Sequence, residues 1–177
     1  MSNSQLPPLA SDGVLAVTGS SIIDAPRDKV WSILMDFKSY KEWNSFVREQ
    51  NITDASKQIL PEQNPIEGKY LTIGVNLPPT MDKPGLFGTG SAFVTITVVD
   101  KENYRAAWKT AGMPGFLLRT ERWQSLTVDE TTGKTRYDTI EVFNGIFAYL
   151  VKIFVGSKLS LGFQAMADDL KKRAEQN

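Results

Sequence analysis

Residues 21–46 read SIIDAPRDKVWSILMDFKSYKEWNSF, and this stretch decides the fold. A β-branched strand ends where Asp24, a plausible N-cap, is followed by Pro26, which suits a first helical turn. We therefore expect a helix over residues 27–36. Its apolar residues repeat at the spacing of one helical face: Val30, Ile33, Leu34 and Phe37.

A second short helix is predicted next, with Ser39 as its cap and with Tyr40 and Trp43 on one side. Outward from there, β-branched or alternating segments predict strands at residues 15–23, 47–53, 69–77, 91–99, 104–110, 116–128 and 136–143. From Ile146 onward the apolar spacing is helical. The chain thus predicts an α+β domain in which a long C-terminal helix covers one face of an antiparallel sheet.

Two loops rich in glycine and proline, residues 78–90 and 111–115, interrupt the strands. Long loops on a rigid scaffold often carry function, so either is a candidate gate to a ligand site. The run GLFGTG within the first loop lacks the lysine of a phosphate-binding loop and precedes a strand, which excludes that motif. In the C-terminal helix, Gly156 and Gly162 predict a break or a close approach to another element.

The composition excludes several kinds of chemistry. The 177 residues contain no cysteine and no histidine, so thiolate catalysis, disulfides and the usual zinc ligands are absent. Any acid–base step must use Asp, Glu, Lys, Tyr or water, and we expect no metal and no cofactor. Twenty basic and twenty acidic residues cancel, so the net charge predicts no attraction to nucleic acid or to an anionic membrane.

The domain organisation is predicted to be simple. Residues 1–13 are polar, contain two prolines and lack the features of a signal peptide, so they are expected to form a flexible arm. Residues 14–175 are expected to form one domain. Without a stretch of roughly 20 apolar residues, a membrane span is not predicted, and we expect a cytoplasmic monomer or homodimer.

The opening stretch resembles a known family. Residues 22–31 and 36–46 are similar to the start of the SRPBCC (START-like) superfamily, which includes START lipid-transfer domains, the birch pollen allergen family and polyketide cyclase/dehydrase-like proteins. TIEVFNG at residues 139–145 resembles its last strand, and GFQAMADDLK at residues 162–171 resembles its closing helix. The resemblance spans residues 14–173.

The resemblance implies a helix-grip fold, with a seven-stranded antiparallel sheet around a long C-terminal helix, two short helices after the first strand and an internal ligand cavity. Members bind lipids, sterols, polyketides or hormones, and a minority catalyse cyclisation, dehydration or condensation. Our leading hypothesis is therefore a polyketide cyclase-like enzyme of natural-product biosynthesis that encloses a hydrophobic small molecule. The alternatives are a non-catalytic lipid, sterol or quinone carrier and a ligand sensor.

Glu141 and Arg122 are the candidate catalytic residues. If the last hairpin closes with Val128 opposite Thr135, Arg122 lies opposite Glu141, and both can face the cavity. Many superfamily members have a histidine where Arg122 stands, which argues against a histidine-based mechanism here. The alternative is an ordinary cross-strand pair on the solvent face, since a slip of one residue exchanges the two faces.

Nine further residues are candidates for substrate contact. Packing or local hydrogen bonding is the alternative explanation, because aromatic side chains dominate protein cores and asparagine amides often satisfy turns. The candidates are Tyr70, Trp108, Trp43, Asn44, Thr139, Phe143, Phe147, Phe163 and Met166.

Overall fold

Seven strands form one antiparallel sheet in the computed structural model, which describes residues 6–176. The order across the sheet is β1-β7-β6-β5-β4-β3-β2. The strands are β1 (Leu15–Ile23), β2 (Val47–Thr53), β3 (Tyr70–Asn76), β4 (Thr89–Asp100), β5 (Arg105–Thr110), β6 (Arg119–Val128) and β7 (Thr135–Asn144). The predicted architecture is confirmed, since every neighbouring pair of strands runs antiparallel.

Four α-helices accompany the sheet. They are α1 (Arg27–Met35), α2 (Tyr40–Trp43), α3 (Ile146–Phe154) and α4 (Gly156–Glu175). Short 3-10 helices lie at Ala10–Asp12 and Phe37–Ser39. Helix α4 buries its apolar stripe, including Phe163 and Leu170, against the inner face of the sheet.

The start of α1 differs from the prediction. Pro26, with φ −61° and ψ 143°, is the N-cap itself, and Asp24 lies too far upstream to reach the first free amides. The Asp24 carboxylate instead lies 2.8 Å from Lys134. Ser39 does not cap α2 either, since its hydroxyl donates to the Asp36 carbonyl at 2.9 Å.

The register of the last hairpin is as predicted. Val128 pairs with Thr135, and Arg122 pairs with Glu141. β1 pairs with the other edge of β7, where Val17 lies beside Glu141. Both candidate catalytic residues are therefore fixed on central strands by neighbours on each side.

Two glycines allow α4 to approach its neighbours closely. A Cβ atom at Gly19 of β1 would collide with the backbone carbonyl of Phe163, and one at Gly162 would collide with the Phe46 ring. The chain also bends by 76° between α3 and α4, around Val155. The predicted break and the predicted close approach near residues 156–162 are thus both confirmed.

The N-terminal segment follows the edge of the sheet where it is described. Residues 1–5 of the expected arm lie outside the described residues. Pro7 and Trp123 line the same depression, and the Val14 amide donates to the Phe143 carbonyl at 2.9 Å. Over residues 6–176, no single helix is long and apolar enough to cross a membrane. Helices α3 and α4 reach that length and composition only as a bent pair.

Candidate functional site

A cavity of about 630 Å³ lies between the inner face of the sheet and helices α3 and α4. Most of its wall is apolar and includes Phe46, Ile73, Trp108, Phe143, Leu159 and Phe163. Seven residues with polar side chains also line the cavity: Lys57, Thr72, Ser91, Thr110, Thr120, Arg122 and Glu141. An apolar cavity with a few convergent polar groups is the usual form of a small-molecule site.

Arg122 lies in the middle of β6 and is only 4% exposed. Its Nε donates to Thr139 Oγ1 at 3.4 Å, and its Nη2 donates to Met166 Sδ at 3.1 Å. The guanidinium carbon lies 4.2 Å from the centre of the Phe163 ring and 5.9 Å from that of Trp108. The cation is therefore held by neutral acceptors and aromatic faces, which attract it through their ring electrons.

Glu141 faces the cavity from β7 and is half-buried. Burial raises the pKa of its carboxyl above the ordinary value of 4.5, although the positive charge of Arg122 and the Thr120 hydroxyl both lower it. Burial has the larger effect because the carboxyl is shielded from bulk solvent and reaches open space only through the cavity. The group can thus hold a proton at a higher pH than an exposed glutamate.

Arg122 and Glu141 do not form a direct ion pair. Both face the cavity as predicted, yet the described residues include no contact within 4.0 Å between their charged atoms. The reason is the direction of the arginine, whose guanidinium reaches towards α4 and Met166. Arg122 and Glu141 are thus two separate groups on one wall of the cavity. Within the described residues, the Arg122 guanidinium has no carboxylate partner.

Three of the predicted contact residues line the cavity, namely Trp108, Phe143 and Phe163. Thr139 and Met166 are buried behind them, where both accept hydrogen bonds from Arg122. Thr139 also donates to the Trp123 carbonyl at 2.9 Å. Thr139 and Met166 therefore position the Arg122 side chain and do not form part of the cavity wall.

Tyr70 and Phe147 lie away from the cavity wall, in contrast to the prediction. The alternation of β3 turns Leu71 and Ile73 inward, so Tyr70 lies on the outer face and stacks on Phe93 with ring centres 5.2 Å apart. Phe147 is 39% exposed on the outer side of α3.

Trp43 and Asn44 have structural roles and do not contact the cavity. The Trp43 ring packs on Tyr40 with centres 4.8 Å apart. Asn44 Oδ1 accepts hydrogen bonds from the amides of Phe46 and Val47 at 3.0 and 2.8 Å. Packing and turn formation, the alternatives left open by the sequence, are what these residues do.

Several wall residues were not identified from the sequence. Thr120 lies two residues before Arg122 and therefore on the same face of β6, and its hydroxyl is bonded to that of Thr110 at 3.0 Å. Strand alternation could have identified Thr120. Val151 and Val155 line the cavity from the α3 side, and no pattern in the sequence separates them from the exposed apolar residues beside them.

A layer of neutral polar groups lies behind the arginine. The Tyr137 hydroxyl donates to Gln124 Oε1 at 2.6 Å, and burial raises the pKa of this tyrosine. Gln124 Nε2 is buried without a partner among the described residues. In the part of the chain that the structure describes, no cluster of three or more acidic residues is placed to hold a metal ion.

Comparison with known proteins defines the class of fold. A START superfamily protein from Mycobacterium smegmatis superposes with a TM-score of 0.59, 16% identity and coverage of 91% of this chain and 97% of that one. A major latex-like protein from Panax ginseng superposes with a TM-score of 0.64 and 7% identity, and the match covers 91% of this chain and 97% of that one. A hypothetical protein from Helicobacter pylori superposes with a TM-score of 0.69 and 15% identity, and the match covers 99% of this chain and 98% of that one. The chain thus has the START-like helix-grip fold, as the opening stretch indicated.

Among curated proteins, the chain is similar to the oxopyrrolidines biosynthesis cluster protein O of Penicillium oxalicum. The two are 28% identical over 172 residues, which cover 85% of this chain and 82% of that protein. No family model matches the chain.

Proposed function

We propose that this protein binds a hydrophobic, carbonyl-bearing small molecule in its cavity and catalyses its cyclisation, in the manner of a polyketide cyclase. The observation that carries this proposal is the placement of a buried guanidinium, Arg122, and a carboxyl with a raised pKa, Glu141, on one wall of an apolar cavity. The name of the Penicillium relative, a biosynthesis cluster protein, supports a role in natural-product biosynthesis.

The cavity would exclude water and hold the substrate in a folded conformation. Its volume of about 630 Å³ suits a molecule of a few fused rings or a folded chain. Trp108, Phe143 and Phe163 offer flat apolar surfaces that would hold such a chain bent. Bringing two reacting carbons together in this way removes much of the entropic barrier to ring closure.

Arg122 would stabilise negative charge on oxygen. A buried cation without a carboxylate partner lacks compensation for its lost hydration, so an anionic oxygen in the cavity is its natural counterpart. The hydrogen bond to Met166 and the Phe163 ring hold the guanidinium in place before the ligand arrives. A preorganised cation of this kind favours the enolate form of a bound carbonyl.

Glu141 would move the proton. As carboxylate it takes a proton from the carbon beside a carbonyl, and the electron pair left behind becomes an enolate whose oxygen faces Arg122. The enolate carbon attacks a second carbonyl, which forms the new carbon–carbon bond and turns that oxygen into an alkoxide. Glu141 then returns its proton to the alkoxide, so the product is an isomer of the substrate and needs no cofactor. A raised pKa makes the Glu141 carboxylate a stronger base, which favours the first step, the removal of the proton from carbon.

The experiment compares Glu141→Gln and Arg122→Met with the unmodified protein. Ligand retained on purification is identified by native mass spectrometry, and turnover of linear poly-β-ketone analogues is followed by liquid chromatography. We expect Glu141→Gln to bind the analogues with little change and to lose at least about a hundredfold in turnover, the usual contribution of a general base. Full turnover by this variant would contradict the mechanism.

A non-catalytic carrier of lipid, sterol or quinone is the second candidate, and the predominantly apolar wall favours it. In that case Arg122 and Glu141 would only orient a polar head group. Co-purified fatty acid or sterol, together with no turnover of any ketone analogue, would establish this function and exclude the enzyme.

A further inference from the structure

Helix α3 is apolar on the side that faces solvent. Ile153 and Phe154 are each 72% exposed, and Ile146, Tyr149 and Leu150 are at least half exposed. A helix with large apolar residues on all sides is normally buried in a core or in a membrane boundary. Here only the side with Ala148 and the two cavity valines is covered by the rest of the chain.

Two loops extend this apolar helix into a larger surface. The β5–β6 loop exposes Met113 and Phe116, and α3 is bonded to it through the Ile146 amide and the Phe116 carbonyl at 3.1 Å. The β3–β4 loop exposes Leu86 and Phe87, each 90% accessible. We call residues 84–88, 113–116 and 146–154 together the mouth surface.

The topology brings the three segments to one end of the sheet. β3, β5 and β7 all finish at this end, because neighbouring strands are antiparallel and the β3–β4 and β5–β6 loops are hairpin connections. The cavity wall includes Leu77 and Met113 from these loops and Val151 and Val155 from the α3 side. The mouth surface therefore borders the cavity.

The charges around the mouth surface are mostly positive. The segments that carry it and their flanks contribute four exposed cations, Lys83, Arg119, Lys152 and Lys158, against the acid Asp82. A second exposed acid, Asp12, lies at the same end, where its carbonyl accepts a hydrogen bond from Asn144. None of the four cations takes part in an ion pair within residues 6–176.

The opposite end of the sheet has a different character. Its turns carry acidic residues together with lysines: Asp100, Lys101 and Glu102 in the β4–β5 turn, and Asp129, Glu130 and Lys134 in the β6–β7 turn. The zero net charge of the chain thus conceals a cationic, apolar end.

We propose that the mouth surface docks on an anionic lipid surface, with the α3 side chains among the acyl chains and the lysines at the headgroups. Apolar residues flanked by lysine are the features of helices that lie in a membrane interface. A second copy fits less well, because a two-fold interface would place these unpaired cations against each other. The proposal does not depend on the chemistry assigned to Arg122 and Glu141.

Vesicle sedimentation with the full chain tests the proposal. We expect the protein to bind phosphatidylcholine vesicles that contain phosphatidylserine, and to bind pure phosphatidylcholine vesicles at least about tenfold more weakly. Ile153→Ser combined with Phe154→Ser should reduce the partition coefficient roughly tenfold or more, because both side chains lose their burial in lipid. Lys152→Glu combined with Lys158→Glu should also reduce the partition coefficient roughly tenfold or more, and should remove the dependence of vesicle binding on salt concentration.

Matched controls lie at the other end of the sheet. Ile59→Ser with Ile66→Ser removes two exposed isoleucines, and Lys101→Glu with Lys172→Glu reverses two exposed, unpaired cations. Neither control should change binding. Circular dichroism and thermal melts should show all four double variants folded, since every altered side chain is solvent-exposed.

Three outcomes would overturn the proposal. The first is the absence of binding to vesicles of either composition. The second is equal loss of binding in the control variants, which would mean that the attraction is not local. The third is a concentration-dependent dimer in sedimentation equilibrium that the Ile153 and Phe154 substitutions abolish, which would assign the surface to a second copy.

Discussion

In the proposed mechanism, Glu141 would serve chemistry at the expense of stability. Burial opposes its charge, and Arg122 offsets only part of that cost because its guanidinium reaches away towards α4. A carboxyl whose ionised form is destabilised by burial has a pKa closer to neutral pH, where it can both accept and donate a proton.

The sign of this effect on stability follows from the raised pKa. The folded protein binds the Glu141 proton more tightly than the unfolded chain does, so the stability it contributes is full below pH 4.5 and is lost as the pH rises through the higher folded-state pKa. Glu141→Gln should therefore melt at the same temperature as the unmodified protein in acid and at a higher temperature near neutral pH. Calorimetric scans from acid to neutral pH would measure the two melting temperatures. A lower melting temperature for Glu141→Gln than for the unmodified protein at neutral pH would contradict the raised pKa of Glu141.

At the level of single elements, the fit between α4 and β1 depends on the absence of a side chain. Gly19→Ala would force a methyl group against the Phe163 carbonyl, which belongs to helix backbone and cannot rotate away. We expect a loss of about 1–3 kcal/mol in the free energy of unfolding, measured by denaturant titration.

Gly74→Ala in β3 is the matched control, because its new methyl group would meet Glu49 Cβ at an ordinary 3.5 Å. Its effect should stay within about 0.5 kcal/mol, as for most substitutions away from a special contact. Equal effects at the two glycines would mean that α4 does not press on β1 at this point.

The elements also show what a sequence can and cannot reveal. The hairpin register was predictable because alternation and the turn fix Arg122 opposite Glu141. The face of Tyr70 depended on which half of the β3 alternation packs inward, and that is decided by the neighbouring strands. The absence of an ion pair depended on the rotamer of one arginine, which is set by α4, an element more than 30 residues away in sequence.

For the whole molecule, the cavity joins residues from five strands and both C-terminal helices into one binding space. Of the four tryptophans, only Trp108 lines it, whereas Trp31, Trp43 and Trp123 are buried elsewhere. This arrangement gives a direct optical measure of occupancy.

We expect 8-anilinonaphthalene-1-sulfonate, an apolar anion, to quench Trp108 fluorescence as it enters the cavity. Trp108→Phe should remove most of the quenching, whereas Trp123→Phe should retain it. Arg122→Met should weaken binding of the dye roughly tenfold through loss of the charge contact. Unchanged quenching in the Trp108 variant would place the dye on the surface, with the mouth surface as the obvious alternative.

The bend at Val155 has an evolutionary consequence. Each central strand is bonded to two neighbours, so a change of strand length disturbs the whole sheet, whereas α3 is joined to the domain between Gly145 and Val155 and forms one replaceable side of the cavity. Substitutions along its inner side can enlarge or reduce the space for a ligand without altering any strand pairing. Related chains could thus diverge in the molecules they accept by varying this short helix, while the polar groups on β6 and β7 stay in place.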